Sequence, residues 1–206
     1  MSDVINLFST PIYKVKIVPS NNEFQVLDNL LYSLFDKSEE GIWALETGKS
    51  TGQHGLQLHE NIAMDWLIKQ VYNHVCIFWG DLDYAHGANI TLPTSWANLH
   101  KQGHVTGEHS HCGGSQKAHI SAVYYFKKSN NSGNIEFRDP LETIHSLSPR
   151  HNYNVAEGNA GLFEVNVEQF DLILFPSWLK HKTKPNESKE DRVAISMNFI
   201  GTWEYK

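Results

Sequence analysis

The sequence predicts an α+β fold, mainly β, in which a sandwich or jelly roll of short strands is supported on one sheet by N-terminal helices. Apolar residues keep helical spacing only before Gly87, and after it they fall into short runs separated by turn residues. Helices followed by a succession of strands make the α+β order. With 206 residues and 40% hydrophobic content, the chain suffices for one core and is too short for two large domains. A single domain over 1–206 is expected, with 1–87 as supporting strand and helices and 88–206 as the β core.

The opening LFSTPIYKVKIV alternates and is rich in β-branched and aromatic residues, which predicts an outer strand. Pro19, Ser20 and two asparagines end it. From Glu23, residues Phe24, Leu27, Leu30, Leu31, Leu34 and Phe35 follow the i, i+3, i+4, i+7 pattern of an amphipathic helix, with Asn21 or Asn22 as its cap. Gly41 to Gln57 reads as loop, and Glu60 to Trp79 resumes helical periodicity through Ile62, Trp66, Val71, Val75 and Phe78. Seven β segments follow: Asn89 to Leu92, Ser95 to His100, Ile120 to Lys127, Asn134 to Arg138, Gly161 to Val167, Asp171 to Phe175 and Arg192 to Thr202. The KSNNSG stretch at 128–133 reads as a hairpin turn.

Composition removes several classes of function. No apolar run approaches the roughly 20 residues of a membrane helix, and the N-terminus lacks the basic and apolar regions of a secretory signal. A cytoplasmic protein is expected. Cys76 and Cys112 show no framework spacing, which fits a reducing compartment. A net charge of -6 with scattered Lys and Arg provides no basic stripe for phosphates, so nucleic acid is disfavoured. A small molecule or a peptide remains as substrate, and the oligomeric state stays open, with a homodimer as one candidate.

Twelve histidines are the compositional anomaly, and five of them, His100, His104, His109, His111 and His119, fall within twenty positions. His109 and His111 are two apart, so on extended backbone both imidazoles leave one face and can share a metal. A third ligand is expected from His181, at the end of the apolar run FDLILFPSWLKH. Eleven residues later, Arg192, Ala194, Ser196 and Asn198 share a face of the last strand, setting a cation and a hydroxyl beside the metal pocket. His100, His104 and His119 read as surface or hydrogen-bonded core residues. Cys112, on the opposite face from its neighbours, reads as a small packing residue, and Trp96 and Trp178 as packing or pocket wall.

In order along the chain stand Leu7, Phe8, Thr10, Pro11 and Tyr13; His109 and His111; the strand SAVYY; Phe137, Asp139 and Pro140; and the segment from Phe175 to His181. In this sequence of motifs the chain resembles the Fe(II) and 2-oxoglutarate-dependent oxygenases, a superfamily that includes the prolyl hydroxylases, and within it a branch common in bacteria and marine phages. The resemblance implies a double-stranded β-helix, a cupin-like jelly roll, spanning 88–206. It also implies Fe(II), 2-oxoglutarate and O2 as cofactor and co-substrates, with succinate and CO2 released as a peptide side chain or small molecule is hydroxylated. Residue by residue, His109 and His181 match the two metal histidines and Arg192 the arginine that pairs with the far carboxylate of 2-oxoglutarate. Tyr125 and Ser196 are candidates for the same carboxylate, and Asn98 and Asn198 for the inner one.

His111 departs from the pattern, because the family places a carboxylate there. Two imidazoles and a carboxylate bring an Fe(II) site to a charge of about +1, whereas three imidazoles leave about +2, which a dianionic co-substrate can neutralise. Two other readings stay open: a three-histidine, cupin-type dioxygenase that needs no 2-oxoglutarate, and an inactive jelly-roll binding module. Arg192 and Tyr125 separate the first of these from the 2-oxoglutarate reading, since a co-substrate carboxylate needs a buried cation.

Overall fold

The computed structural model describes residues 9–43, 46–113, 117–145 and 161–203. Leu7 and Phe8 of the opening motif lie outside them. In chain order the strands are β1 Tyr13–Lys16, β2 Gly41–Trp43, β3 Glu46–Ser50, β4 Asn89–His100, β5 Ile120–Lys127, β6 Ile135–Arg138, β7 Leu162–Val165, β8 Asp171–Pro176, β9 His181–Thr183 and β10 Arg192–Thr202. Helices α1 Asn21–Phe35 and α2 Asp65–Asp81 precede β4, and a short α3 Glu142–His145 follows β6.

All pairings are antiparallel, in a seven-stranded sheet ordered β1-β8-β5-β10-β4-β3-β2 and a three-stranded sheet ordered β7-β6-β9. Alternation along the strands gives the large sheet two different faces. One face carries Leu99, Tyr124, Leu172, Leu174, Val193, Ile195, Met197 and Phe199, which pack with Leu27, Leu31 and Phe35 of α1 and Leu67, Val71, Val75 and Phe78 of α2. Burial of these helix stripes, each residue worth about 1.5–3 kcal/mol, clamps both helices to the sheet. The other face turns toward the small sheet, where Tyr125, Ile173 and Phe175 meet Ile135, Phe137, Val167 and Leu179. That inner space holds the candidate site.

Several expectations change on folding. The stretch 41–57, expected as loop, supplies β2 and β3, which extend the large sheet beyond β4. Its Gly, Ser and Thr content hides the strands because two-residue pairing with β4, Lys49 to Leu99 and Ser50 to Asn98, needs little apolar alternation. The 1–87 region therefore builds part of the large sheet as well as supporting it. The 128–133 stretch joins no hairpin: β5 pairs with β10 and β8, whereas β6 pairs with β7 and β9, so this turn carries the chain from one sheet to the other.

The two strands expected at 89–92 and 95–100 are one, β4, with a register shift opposite Asn198 to Ile200. Pro93 sits in that irregularity, where a strand tolerates a missing N–H. Helix α1 is capped by Ser20, not by Asn21 or Asn22: the Ser20 side chain accepts from the Glu23 N–H, and the Glu23 carboxylate accepts from the Ser20 N–H at 2.7 Å. Helix α2 starts at Asp65 after short 3-10 turns, later than the periodicity suggests.

Candidate active site

His109, His111 and His181 come together, with one ligand nitrogen from each lying within 4.8 Å of the others. Backbone pairing sets this geometry. The His109 N–H donates to the His181 carbonyl at 3.0 Å and the His181 N–H to that of His109 at 2.9 Å, while the His111 N–H donates to the Ser177 carbonyl at 2.9 Å. Side-chain bonds then fix two of the rings. His109 Nδ1 lies 2.9 Å from the Gly107 carbonyl and His181 Nδ1 2.9 Å from that of Leu179. A carbonyl can only accept, so in both rings the proton is on Nδ1 and Nε2 keeps its lone pair.

Electrostatics act in the same direction. Burial pushes the His181 imidazole well below its ordinary pKa, with a further push from His109 and opposition from the Leu179 carbonyl. Burial likewise lowers His109, partly offset by the Gly107 carbonyl. Neutral rings with open lone pairs are what a divalent metal takes. Glu108, the carboxylate next to His109, is turned to Arg138 at 2.6 Å, and among the described residues no carboxylate belongs to the metal group.

The other end of the pocket is cationic. Arg192 is 1% exposed and directly opposite His100 in the β10–β4 register. Its Nη1 donates to the carbonyls of Ser132 at 2.6 Å and Lys184 at 2.9 Å, and its Nη2 to His100 Nδ1 at 2.9 Å and Thr183 Oγ1 at 3.0 Å. Among the described residues no carboxylate forms an ion pair with it. Desolvation pulls its pKa down to about 10, yet it stays charged at neutral pH. A buried, unpaired guanidinium is costly, and an incoming anion would remove that cost. Gly133 makes room for it: at φ +79°, an added Cβ would meet the backbone oxygens of Lys184 and Pro185 and, at 2.6 Å, Arg192 Nη1.

Tyr125, paired with Ala194 across β5 and β10, is buried, and among the described residues its hydroxyl has no hydrogen-bond partner. Burial raises its pKa, so it remains a neutral donor beside Arg192. Asn198 Oδ1 accepts from Ser121 Oγ at 2.8 Å, Ser121 Oγ lies 2.8 Å from Ser177 Oγ, and among the described residues the buried Asn198 Nδ2 has no partner. Asn98 and Ser196 line the same pocket. Ser196 stands four residues, about 13 Å of strand, from Arg192. All eight residues singled out in the sequence thus border one cavity.

Other side chains complete the pocket. His100, taken as structural, lines this cavity against Arg192, as do Thr106 and Thr183. The signal was present, because His100 shares a β4 face with Asn98 and Trp96 by the two-residue period. Trp96 is pocket wall, its ring 5.6 Å from that of His111. Cys112 is exposed instead of packed, since the chain leaves its bridge after His111. Trp178 is 44% exposed and fills no core. His119 is a structural residue between Trp79 and Trp203, accepting from the Gly201 N–H at 3.0 Å.

The profile of a family described as "Putative 2OG-Fe(II) oxygenase" matches residues 94–198, more than half of the chain and the whole span of the site. The chain belongs to this family. As a 2-oxoglutarate-dependent oxygenase it takes Fe(II), 2-oxoglutarate and O2, and the three-imidazole cluster, the unpaired buried guanidinium and the orphaned Tyr125 hydroxyl fit those groups. The oxygenase is similar in fold to a Pseudomonas putida prolyl-4-hydroxylase, at 12% identity over 93% of this chain and 92% of the other, with a TM-score of 0.61. A Trichoplax adhaerens prolyl hydroxylase bound to a hypoxia inducible factor peptide gives 14% identity, 92% and 83% coverage and 0.62. The α-ketoglutarate-dependent epimerase SnoN of nogalamycin biosynthesis gives 14%, 93% and 78%, and 0.61. These similarities show the double-stranded β-helix. Among curated protein sequences none matches the chain.

Proposed function

We propose that His109, His111 and His181 hold Fe(II), that Arg192 and Tyr125 take the far carboxylate of 2-oxoglutarate, and that the oxygenase hydroxylates a peptide side chain or a small molecule. One observation carries the reading: a buried guanidinium, without a carboxylate partner among the described residues, shares a single cavity with three clustered imidazoles. Bound iron would supply O2 activation coupled to oxidative decarboxylation of 2-oxoglutarate.

The protein's own part is binding and exclusion. The Gly107 and Leu179 carbonyls hold two imidazoles in the ligating tautomer. Arg192 attracts the dianion in a site where low dielectric strengthens the pair. Phe175, whose ring centre lies 4.6 Å from that of His181, and Trp96 beside His111 keep water from the metal end. The Ser177–Ser121–Asn198 chain holds the amide oxygen of this pocket-lining residue and leaves its Nδ2 donor unengaged among the described residues, suited to the inner carboxylate. Hydroxylation is supported by the two prolyl hydroxylases of like fold, and a small-molecule substrate by the epimerase. Exposed thiols at Cys76 and Cys112 suit a reducing compartment. A cupin-type reaction without 2-oxoglutarate would leave the buried charge of Arg192 without an anion.

The test is succinate release from 2-oxoglutarate with Fe(II) and O2, followed by mass spectrometry of peptide and small-molecule candidates for a gain of one oxygen. Succinate formed only when all components are present is expected. Iron binding with no 2-oxoglutarate turnover under any substrate would contradict the reading.

A further inference from the structure

Arg192 brings a full charge to the pocket but few free hydrogens. A guanidinium has five N–H groups, and four of them already donate to Ser132 O, Lys184 O, His100 Nδ1 and Thr183 Oγ1. Among the described residues only Nε–H has no acceptor. A carboxylate offers about four lone-pair sites, so an anion seated here needs donors besides arginine.

His100 is built to be one of them. It is 2% exposed and faces Arg192 across the β4–β10 pair. Because Arg192 can only donate, His100 Nδ1 must be the acceptor in their 2.9 Å contact, and the ring proton belongs on Nε2. Among the described residues Nε2 has only a long, 3.4 Å contact with Thr106 Oγ1, and both residues line the cavity. Burial and the adjacent guanidinium hold the ring neutral, its pKa lowered to about 3. The proton is therefore fixed on Nε2, the nitrogen not engaged by Arg192, in a ring that lines the pocket.

Resting on the proposed 2-oxoglutarate site, we infer that His100 is a binding residue for the far carboxylate, donating Nε2–H to it while Arg192 fixes the tautomer. Arginine supplies the field and histidine a directed hydrogen bond. This division explains why the arginine fork can be engaged by two carbonyls, an imidazole and a hydroxyl without disabling the site.

Two substitutions separate the two nitrogens. His100→Asn keeps a polar group near the Nδ1 position and loses the donor, whereas His100→Gln reaches the Nε2 position with an amide N–H. Titration of 2-oxoglutarate into Fe(II)-loaded protein without oxygen should show His100→Asn about tenfold weaker or worse, as for a lost hydrogen bond to a charged group, and His100→Gln within about threefold of wild type. Iron affinity should be unchanged in both. Wild-type affinity in His100→Asn, or equal losses in both variants, would overturn the inference and leave His100 as a buttress for Arg192. Long-range 1H–15N spectra of histidine-labelled wild type give a second readout that needs no variant: an Nε2-protonated His100 whose Nε2 resonance shifts on adding 2-oxoglutarate is expected, and an Nδ1-protonated ring or no shift would refute it. A wild-type protein that binds iron and not 2-oxoglutarate would bring down the functional reading itself, whereas Arg192-dependent binding with an indifferent His100 brings down this inference alone.

Discussion

Where each proton sits decides what the pocket residues can do. His109 and His181 carry theirs on Nδ1 and offer Nε2 lone pairs, whereas His100 is the reverse, because one pair of rings faces carbonyls and the other ring faces a guanidinium. Arg192→Ala should weaken 2-oxoglutarate binding by roughly 2–5 kcal/mol, since it strands a buried carboxylate, with iron binding nearly intact. Arg192→Lys should recover only part, an ammonium being unable to hold four acceptors in one plane; calorimetry on the metal-loaded variants measures both. His100 also leaves a mark on stability. In the unfolded chain it protonates near 6.5, while in the fold it resists to about 3. Acidification through that window thus puts a proton on the unfolded state only, and the stability present above pH 6.5 is lost as pH falls. Denaturant titrations between pH 6 and 4 should give wild type a slope steeper than His100→Gln by about 1.4 kcal/mol per pH unit. Equal slopes would show that His100 titrates normally.

At the scale of elements, the site is a product of strand alternation and of one crossing between sheets. Arg192, Ala194, Ser196 and Asn198 were legible as one face of β10 because the side-chain period of a strand is two. The same rule applied to β4 yields Trp96, Asn98 and His100, but a lone histidine carries no sign that an arginine will lie opposite it, since register is a tertiary property. The HxH spacing and the distant His181 were likewise legible as a pair and a third. What sequence could not show was the reciprocal His109–His181 backbone bonding that aligns them. The 128–133 turn was misread because its Asn and Gly content suits any tight turn, and only the partners of β5 and β6 reveal a crossing. Gly133 in that turn tests the assignment. Gly133→Ala should cost about 2 kcal/mol or more, from positive-φ strain and collision with backbone oxygens around Arg192, and should weaken 2-oxoglutarate binding. Gly103, at φ +86° with open space around its Cβ position, provides the control: its alanine variant should lose about 1 kcal/mol and keep wild-type 2-oxoglutarate affinity. Thermal melts and binding titrations on the two variants compare them directly.

On the scale of the whole molecule, the two faces of the large sheet divide the labour. The helix-covered face is apolar, and the inner face combines a smaller apolar cluster with the polar residues of the pocket. The fold class was legible because helical periodicity gives way to short strands at Gly87. The contribution of residues 41–50 to the sheet was not, because short pairings at an edge need no apolar signature. Three imidazoles and a buried guanidinium border one cavity, so on the proposed assignment tight 2-oxoglutarate binding should require both ends intact. The most direct measurement is an oxygen-free calorimetric titration of 2-oxoglutarate into wild type and His181→Ala, each equilibrated with Fe(II) and assayed for bound iron. One iron and one 2-oxoglutarate per wild-type chain are predicted, with both lost or much weakened in His181→Ala, because two imidazoles make a poor chelate. Full iron occupancy and undiminished 2-oxoglutarate affinity in the variant would contradict the three-histidine site at the centre of this account.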